Sequence, residues 1–353
     1  AANPNPFCSG SPVTFTAAPS NGGAAPAFQW KVNGANAGSN APTFVYNPSD
    51  HDSVRCVMTS NLACVSSNPA ISNKIVLSGS LAPPVSFSAC FDTLTTVNAK
   101  PFKLKGGLPL GGAWSGPGVN ALAGTFDPSA AGTGLKTIAY SYTNVYLCSA
   151  SKTKTITVLP VPAFTCGNTL TDIRDGKTYP TVQIGSQCWM AANLNKGVQV
   201  TSSQVQLDNC MDEKYCYSND PTTCVNYGGL YRWDELMRYD HTPAGQGLCP
   251  PGWHVPTDTE WETLCNVYQG YSRAGKFLMD HFTVGFYALP SGVRYLDSSW
   301  SFVDFATLFW TSTRMDAEKT FAHGMNSKNF SVSLYPAARG NAFSVRCLKD
   351  TGN

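Results

Sequence analysis

The sequence predicts a multidomain protein: two all-β sandwiches followed by a larger α+β domain stapled by disulfides. Three observations lead there. Up to residue 160 the chain reads as short alternating strands separated by Gly- and Pro-rich turns, the pattern of sandwiches rather than of long helices. Past the stiff linker Leu159-Pro160-Val161-Pro162 the composition shifts, because six of the eight Trp lie beyond it. Thirteen cysteines without metal-type spacings indicate an oxidising, extracellular setting. A length of 353 residues suits two or three domains. A charged fraction of 13% and a net charge of +2 leave no nucleic-acid footprint.

The first domain is expected at 1-80. Its strands are Val13–Thr16, Phe28–Val32, Thr43–Tyr46, Ser53–Met58 and Ile75–Leu77, with Asn33-Gly34 as a hairpin turn. Short strands at this spacing, with Trp30 in the second, suggest an immunoglobulin-like sandwich. The words Cys8–Phe15, Gln29–Gly34 and Cys56–Asn61 resemble Ig/PKD-like repeats of secreted Bacteroidota surface proteins. Three cysteines here leave one without a partner inside the domain. Cys8–Cys64 is the expected bond with Cys56 a buried thiol, and Cys8–Cys56 is the alternative.

The second domain, 82-160, repeats the plan. Strands are expected at Val85–Ser88, Phe102–Leu104, Ala113–Ser115, Thr137–Tyr142 and Lys154–Val158. Gly111–Gly116 and Gly124–Pro128 again resemble an Ig-like surface module. Cys90 and Cys148 are its only cysteines, so they are paired. Gly116-Pro117-Gly118 is a turn, since no helical pattern follows to cradle a phosphate.

The third domain, 164-353, opens with a hairpin around Asp175-Gly176. Pro250, Pro251 and Pro256 hold the chain extended before Thr257, where a helix begins: Thr257 (or Asp258) caps it and Glu260 completes a capping box. Trp261, Leu264 and Cys265 form its apolar stripe. A second helix is expected around Tyr231–Tyr239, and Phe343–Leu348 as a terminal strand.

The words Asp175–Tyr179, Ile184–Leu194, Tyr215–Tyr217, Tyr227–Glu235, Cys249–Trp261 and Phe343–Cys347 closely resemble the FISUMP family, the major paralogous domain of Fibrobacter succinogenes. The resemblance implies a C-type-lectin-like fold, shared with formylglycine-generating enzymes. Its two ends would meet in one sheet and a long loop region would form the binding face. It also implies cell-surface display and adhesion to polysaccharide. Eight cysteines fall in this domain, and spacing alone does not single out one connectivity. Cys166–Cys188 is expected across the first hairpin, Cys216–Cys224 around a short loop, and Cys249–Cys347 between helix entry and final strand. Cys210–Cys265 remains by elimination.

Catalytic patterns are missing. There is no Gly-x-Ser-x-Gly and no His-Glu-x-x-His, and each of the five His is solitary. The copper-holding cysteine pair of the formylglycine-generating relatives has no counterpart once every cysteine of the domain has a structural partner. No enzyme and no cofactor are expected. A structural calcium ion stays open as an alternative, although Ser218-Asn219-Asp220 offers only one carboxylate and one amide. Aromatics carry the remaining signal. Arg294, Tyr295 and Trp300 are the expected ligand-binding residues, with Tyr295 and Trp300 exposed beside Gly292 and Ser298-Ser299. Ser53 and Thr93 sit in short triplets resembling the O-glycosylation motif of Bacteroidota secreted proteins.

The expected protein is extracellular, with an Ig-like stalk and a lectin-like head for adhesion to glycan or a surface protein. A structural subunit contacting other copies of itself is the alternative, and an extracellular polymer-acting enzyme ranks below both. No stretch approaches the ~20 apolar residues of a membrane span. The start at Ala1 carries no signal peptide, as a mature chain or a segment of something longer would.

Overall fold

The computed structural model describes residues 1–280 and 284–351. It is a mostly β protein with several separate sheets, and the described residues hold five short α-helices and one 3-10 turn. The chain divides into two compact units. One comprises Ala1–Phe87, Gly107–Ala113 and Tyr140–Lys152; the other comprises Ser88–Gly106, Trp114–Ala139 and Thr153–Asn353. The middle segment, 82-160, is thus shared out between them.

In the first unit, alternation builds two sheets over one core. Val13–Thr16 lies between Ala2–Asn3 and Thr43–Tyr46, while Ala27–Val32 lies between Ala35–Ala37 and Ser53–Thr59. Asn33 and Gly34 both adopt positive φ, 50° and 89°, as the tight turn joining Val32 to Ala35 requires. Phe7, Val13, Phe15, Phe28, Trp30 and Val54 are buried between the sheets. The Trp30 indole N–H donates to the Ala41 carbonyl at 2.9 Å, so the ring is buried without an orphaned donor.

The sulfur pairing in this unit corrects the expectation. Cys8 bonds Cys148, not Cys64, with Cα atoms 5.4 Å apart. The cause is a long-range ladder: Cys8 pairs in parallel register with Ser80, and the Ser80 carbonyl lies 3.7 Å from Cys148 Sγ. Cys64 is an exposed free thiol and Cys56 a buried one. Cys148 is therefore not bound to Cys90.

The second unit is organised around a seven-stranded sheet. Its main order is Tyr231–Arg232, Ala342–Phe343, Ser291–Arg294, Ala306–Arg314, Lys319–Asn326, Asn329–Ala338, and Trp300–Val303 pairs with Ser291–Arg294. A smaller sheet joins Thr181–Ile184, Gln187–Met190, Leu348–Lys349 and Trp253–His254. Residues near 185 and the chain's last strand therefore share one sheet. The expected terminal strand over 343–348 is split: Ala342–Phe343 belongs to the large sheet and Leu348–Lys349 to the small one. Between them Arg346 turns fully inward. Cys166–Cys188, Cys216–Cys224 and Cys249–Cys347 are bonded.

Cys210 bonds Cys90 rather than Cys265. Ion pairs hold the segment around Cys90 beside the 207–212 loop: Lys105 reaches Asp208 at 2.7 Å, and Arg238 bridges Asp92 and Asp212 at 2.7 and 2.8 Å. Cys265, the partner that elimination gives Cys210, is instead free and fully buried, and burial pushes its thiol up to about 12.

The helix Asp258–Val267 carries the complete capping box, Thr257 Oγ1 accepting from the Glu260 amide and the Glu260 carboxylate accepting from the Thr257 amide. Trp261, Leu264 and Cys265 are buried. The expected helix over 231–239 shrinks to Trp233–Leu236, because Tyr231–Arg232 is taken into the sheet.

His254 ties this helix to the chain's last strand. Its Nδ1 lies 2.6 Å from Asp350 and its Nε2 3.0 Å from Glu260, so both ring nitrogens face carboxylates. A neutral ring has one N–H and can serve only one of them; the imidazolium serves both. Burial disfavours the charge, but hydrogen bonds to Asp350 and Glu260 outweigh it and raise the His254 pKa. A raised folded pKa gives stability that is fully present below the unfolded value near 6.5 and lost as pH rises through the folded value. Thermal melts from pH 6 to 9 should show Tm of the wild type falling over that interval, and His254→Gln should flatten the slope.

Candidate functional site

The loop region 290–310 lies on the seven-stranded sheet and is built as a hairpin. Arg294 pairs with Trp300 across it, which sends both side chains to the same side. That side faces inward. Arg294 is 3% exposed; its guanidinium lies 4.3 Å from the Tyr215 ring centroid and donates to the Ser202 carbonyl at 2.5 Å and to Ser298 Oγ at 2.9 Å. Trp300 is half-buried against Tyr217 and Tyr215, with centroids 5.2 and 6.5 Å away. Gly292, at φ 70°, makes room for that layer: a Cβ there would stand 2.6 Å from the Tyr217 ring.

Arg294 is therefore enclosed beneath the loop, and Trp300 is half-buried where full exposure was expected. Tyr295 is also only half-buried, edge-on to Phe302 at 6.5 Å. The open rings are ones that spacing did not single out. Phe302 is 44% exposed and Phe305 36%, with centroids 6.2 Å apart. Lys328 Nζ stands 5.6 Å from the Phe305 ring, and Tyr335 presents a further exposed ring on the edge strand Asn329–Ala338. Ser298, Phe302 and Asp304 all have positive φ, between 60° and 71°. A bulky residue such as Phe302 pays about 1–2 kcal/mol for that conformation. The surrounding bonds enforce it: the Asp304 amide donates to the Pro290 carbonyl, the Ser327 amide to the Phe305 carbonyl, and the Tyr227 hydroxyl to the Asp304 carboxylate. Left-handed backbone is thus concentrated around the exposed rings.

A second feature is a cleft of about 480 Å³ lined by Asp92, Lys105, Asp208, Asp212, Glu235 and Arg238, among others. Its charges neutralise one another. Arg238 grips Asp92 with both Nη atoms, at 2.7 and 2.9 Å, and also holds Asp212. Arg174 reaches Asp92 at 3.0 Å and Asp172 at 2.7 Å, and Lys196 lies 3.3 Å from Asp212. Three carboxylates thus face three cations. The sequence gives no sign of this network, whose members are dispersed from 92 to 238.

Glu235 is a cleft carboxyl whose titration is displaced upward. Burial raises it to about 7, against the pull of hydrogen bonds from the Glu213 amide at 2.8 Å and the Tyr239 hydroxyl at 3.1 Å. The folded state holds a proton that the unfolded chain has released above about pH 4.5, so stability falls as pH rises from there to about 7. Glu235→Gln keeps the shape and needs no proton. Chemical denaturation at pH 8 should show the variant more stable by up to roughly 3 kcal/mol, with the gap closing near pH 4.

Other expected positions are occupied structurally. Asp220 caps the helix Pro221–Tyr227, accepting from the Thr222 amide at 2.9 Å, while Asn219 accepts from the Ser202 amide at 2.7 Å. The calcium alternative would have to displace these bonds. Ser53 donates its hydroxyl to Asn33 at 3.3 Å, and Thr93 is exposed. Among the described residues no group of three His, Cys, Asp or Glu converges as metal ligands. No helix among them is long and apolar enough to cross a membrane.

Comparison with known proteins adds three findings. No curated protein matches the chain. Among solved structures, one similar in part is described as a Ca2+-stabilized adhesin that helps an Antarctic bacterium reach out and bind ice. It is 13% identical, the match covers 51% of this chain and 57% of that one, and the TM-score is 0.25, too low to carry an argument about fold or function. Residues 182–349 match the model of the Fibrobacter succinogenes major domain, which supports a domain of that family in the C-terminal half of the chain.

Proposed function

We propose that the chain is an extracellular surface protein whose C-terminal domain binds glycan or another surface protein through the aromatic face around 290–310. In this reading residues 1-80 and 82-160 are Ig-like modules of a stalk, and 164-353 is a C-type-lectin-like, non-enzymatic head. The observation that carries it is the pair of open rings Phe302 and Phe305, with half-buried Tyr295 edge-on to Phe302, on a loop with left-handed residues at Ser298, Phe302 and Asp304 over buried Arg294 and Tyr215. Ring faces of this kind stack on sugar rings or on apolar protein surface. Five disulfides suit a chain that works outside a cell.

The test is binding of the full chain to a glycan array and to immobilised polysaccharides. Phe302→Ala with Phe305→Ala should weaken binding about tenfold, from the loss of two stacking rings. Tm should hold, because both side chains are open to solvent. No glycan signal, together with concentration-dependent assembly of the full chain, would replace this reading with a structural subunit.

A further inference from the structure

Two disulfides cross. Along the chain the cysteines run Cys8, Cys90, Cys148, Cys210, and the bonds join the first to the third and the second to the fourth. If each bond is drawn as a single point, the backbone between the two points becomes three parallel arms: residues 9–89, 91–147 and 149–209. A sequential pairing, such as Cys8–Cys64 with Cys90–Cys148, would leave one arm only.

We propose that this crossing makes residues 8–210 a covalently redundant tether, which keeps the N-terminal and C-terminal ends joined after backbone cuts in any two of the three arms. Release then needs cuts in all three, or reduction of the bonds by a thiol. A dithiol reductant gives one electron pair and two protons to each bond, leaving two cysteine thiols and an oxidised dithiol. If Cys90–Cys210 alone opens, a cut in arm 149–209 outside the Cys166–Cys188 loop suffices to separate the ends. If Cys8–Cys148 alone opens, a cut in arm 9–89 suffices.

The arms carry sites where cutting is to be expected. Leu62 in the first arm is 46% exposed, and Leu122 in the second is fully exposed on a turn; Val205 in the third is 52% exposed. Exposed loop tips are where proteases nick folded chains. The value of redundancy outside a cell rests on the surface reading above, but the topology does not.

The test places a sequence-specific protease site after Leu62, after Leu122, or between Ser203 and Gln204 in the full chain. Different tags mark the two ends. The third position lies outside the loop closed by Cys166–Cys188, which would otherwise mask a cut. After complete cleavage at any two positions, a denaturing non-reducing gel should show both tags in one species of full mass. Reductant should split it into three fragments. In Cys90→Ser/Cys210→Ser, cleavage between Ser203 and Gln204 alone should free the N-terminal tag without reductant. Release of that tag from the doubly cut parent chain before reduction would overturn the proposal, whatever the variant does. No step depends on a ligand, so failure of glycan binding leaves this result readable.

Discussion

Arg346→Met is expected to lose about 4 kcal/mol or more of folding stability. Arg346 is fully buried, and among the described residues no carboxylate pairs with it. Its donors go instead to Asn193 Oδ1 at 2.6 Å and to the carbonyls of Met190, Phe286 and Tyr287 at 3.2, 2.5 and 2.7 Å. Its face lies 4.7 Å from the Phe286 ring and 5.7 Å from Phe309. Burial pulls its pKa down to about 9, a measure of how much this environment resists the charge. Removing the guanidinium removes that penalty but strands four acceptors from two stretches of the chain in a dry core, each costing about 1–3 kcal/mol. Arg346→Lys keeps the charge and loses the planar fork, so it should recover only part of the loss. Urea denaturation of the three proteins decides the matter, and a Met variant within about 1 kcal/mol of the parent would refute the keystone role.

Asp92→Asn should cost about 3–5 kcal/mol, because it leaves Arg174 and Arg238 sharing one carboxylate fewer in a nearly closed site. Its pH dependence separates this effect from lost packing. Burial opposes the charged carboxylate, but Arg238 and Arg174 outweigh it and hold Asp92 well below the usual carboxylate range. A depressed folded pKa contributes stability that is present above the unfolded value near 3.9 and lost as pH falls through the folded value. The gap between parent and variant should therefore be constant from pH 7 to about 5 and narrow only below about 4. A gap unchanged down to pH 2 would point to packing instead.

These two residues show where reading the sequence stops. The Asn33-Gly34 hairpin, the Thr257 capping box and the stripe Trp261, Leu264, Cys265 are local, with period and cap chemistry within a few residues of one another. Such features were legible. Asp92 and Arg238 meet across 146 positions, and Asn193 and Arg346 across 153. Nothing in local composition marks them. The cysteines make the same point: pairing within presumed domains placed Cys90 with Cys148, whereas long-range strand pairing and ion pairs send one to Cys210 and the other to Cys8. At the candidate site, the aromatic richness of 290–310 was visible. Which rings face water was not, because that depends on the Arg294–Trp300 register and on left-handed residues that only the folded loop displays.

The unpaired thiols give the molecule its own chronometer of unfolding. Cys64 stands in solvent and will take up an alkylating reagent at once, while Cys265 is sealed under the aromatic core with its sulfur held in the unreactive protonated form. The mass added at the second site, counted over hours, records how often that core opens, and the first site serves as the built-in dose control.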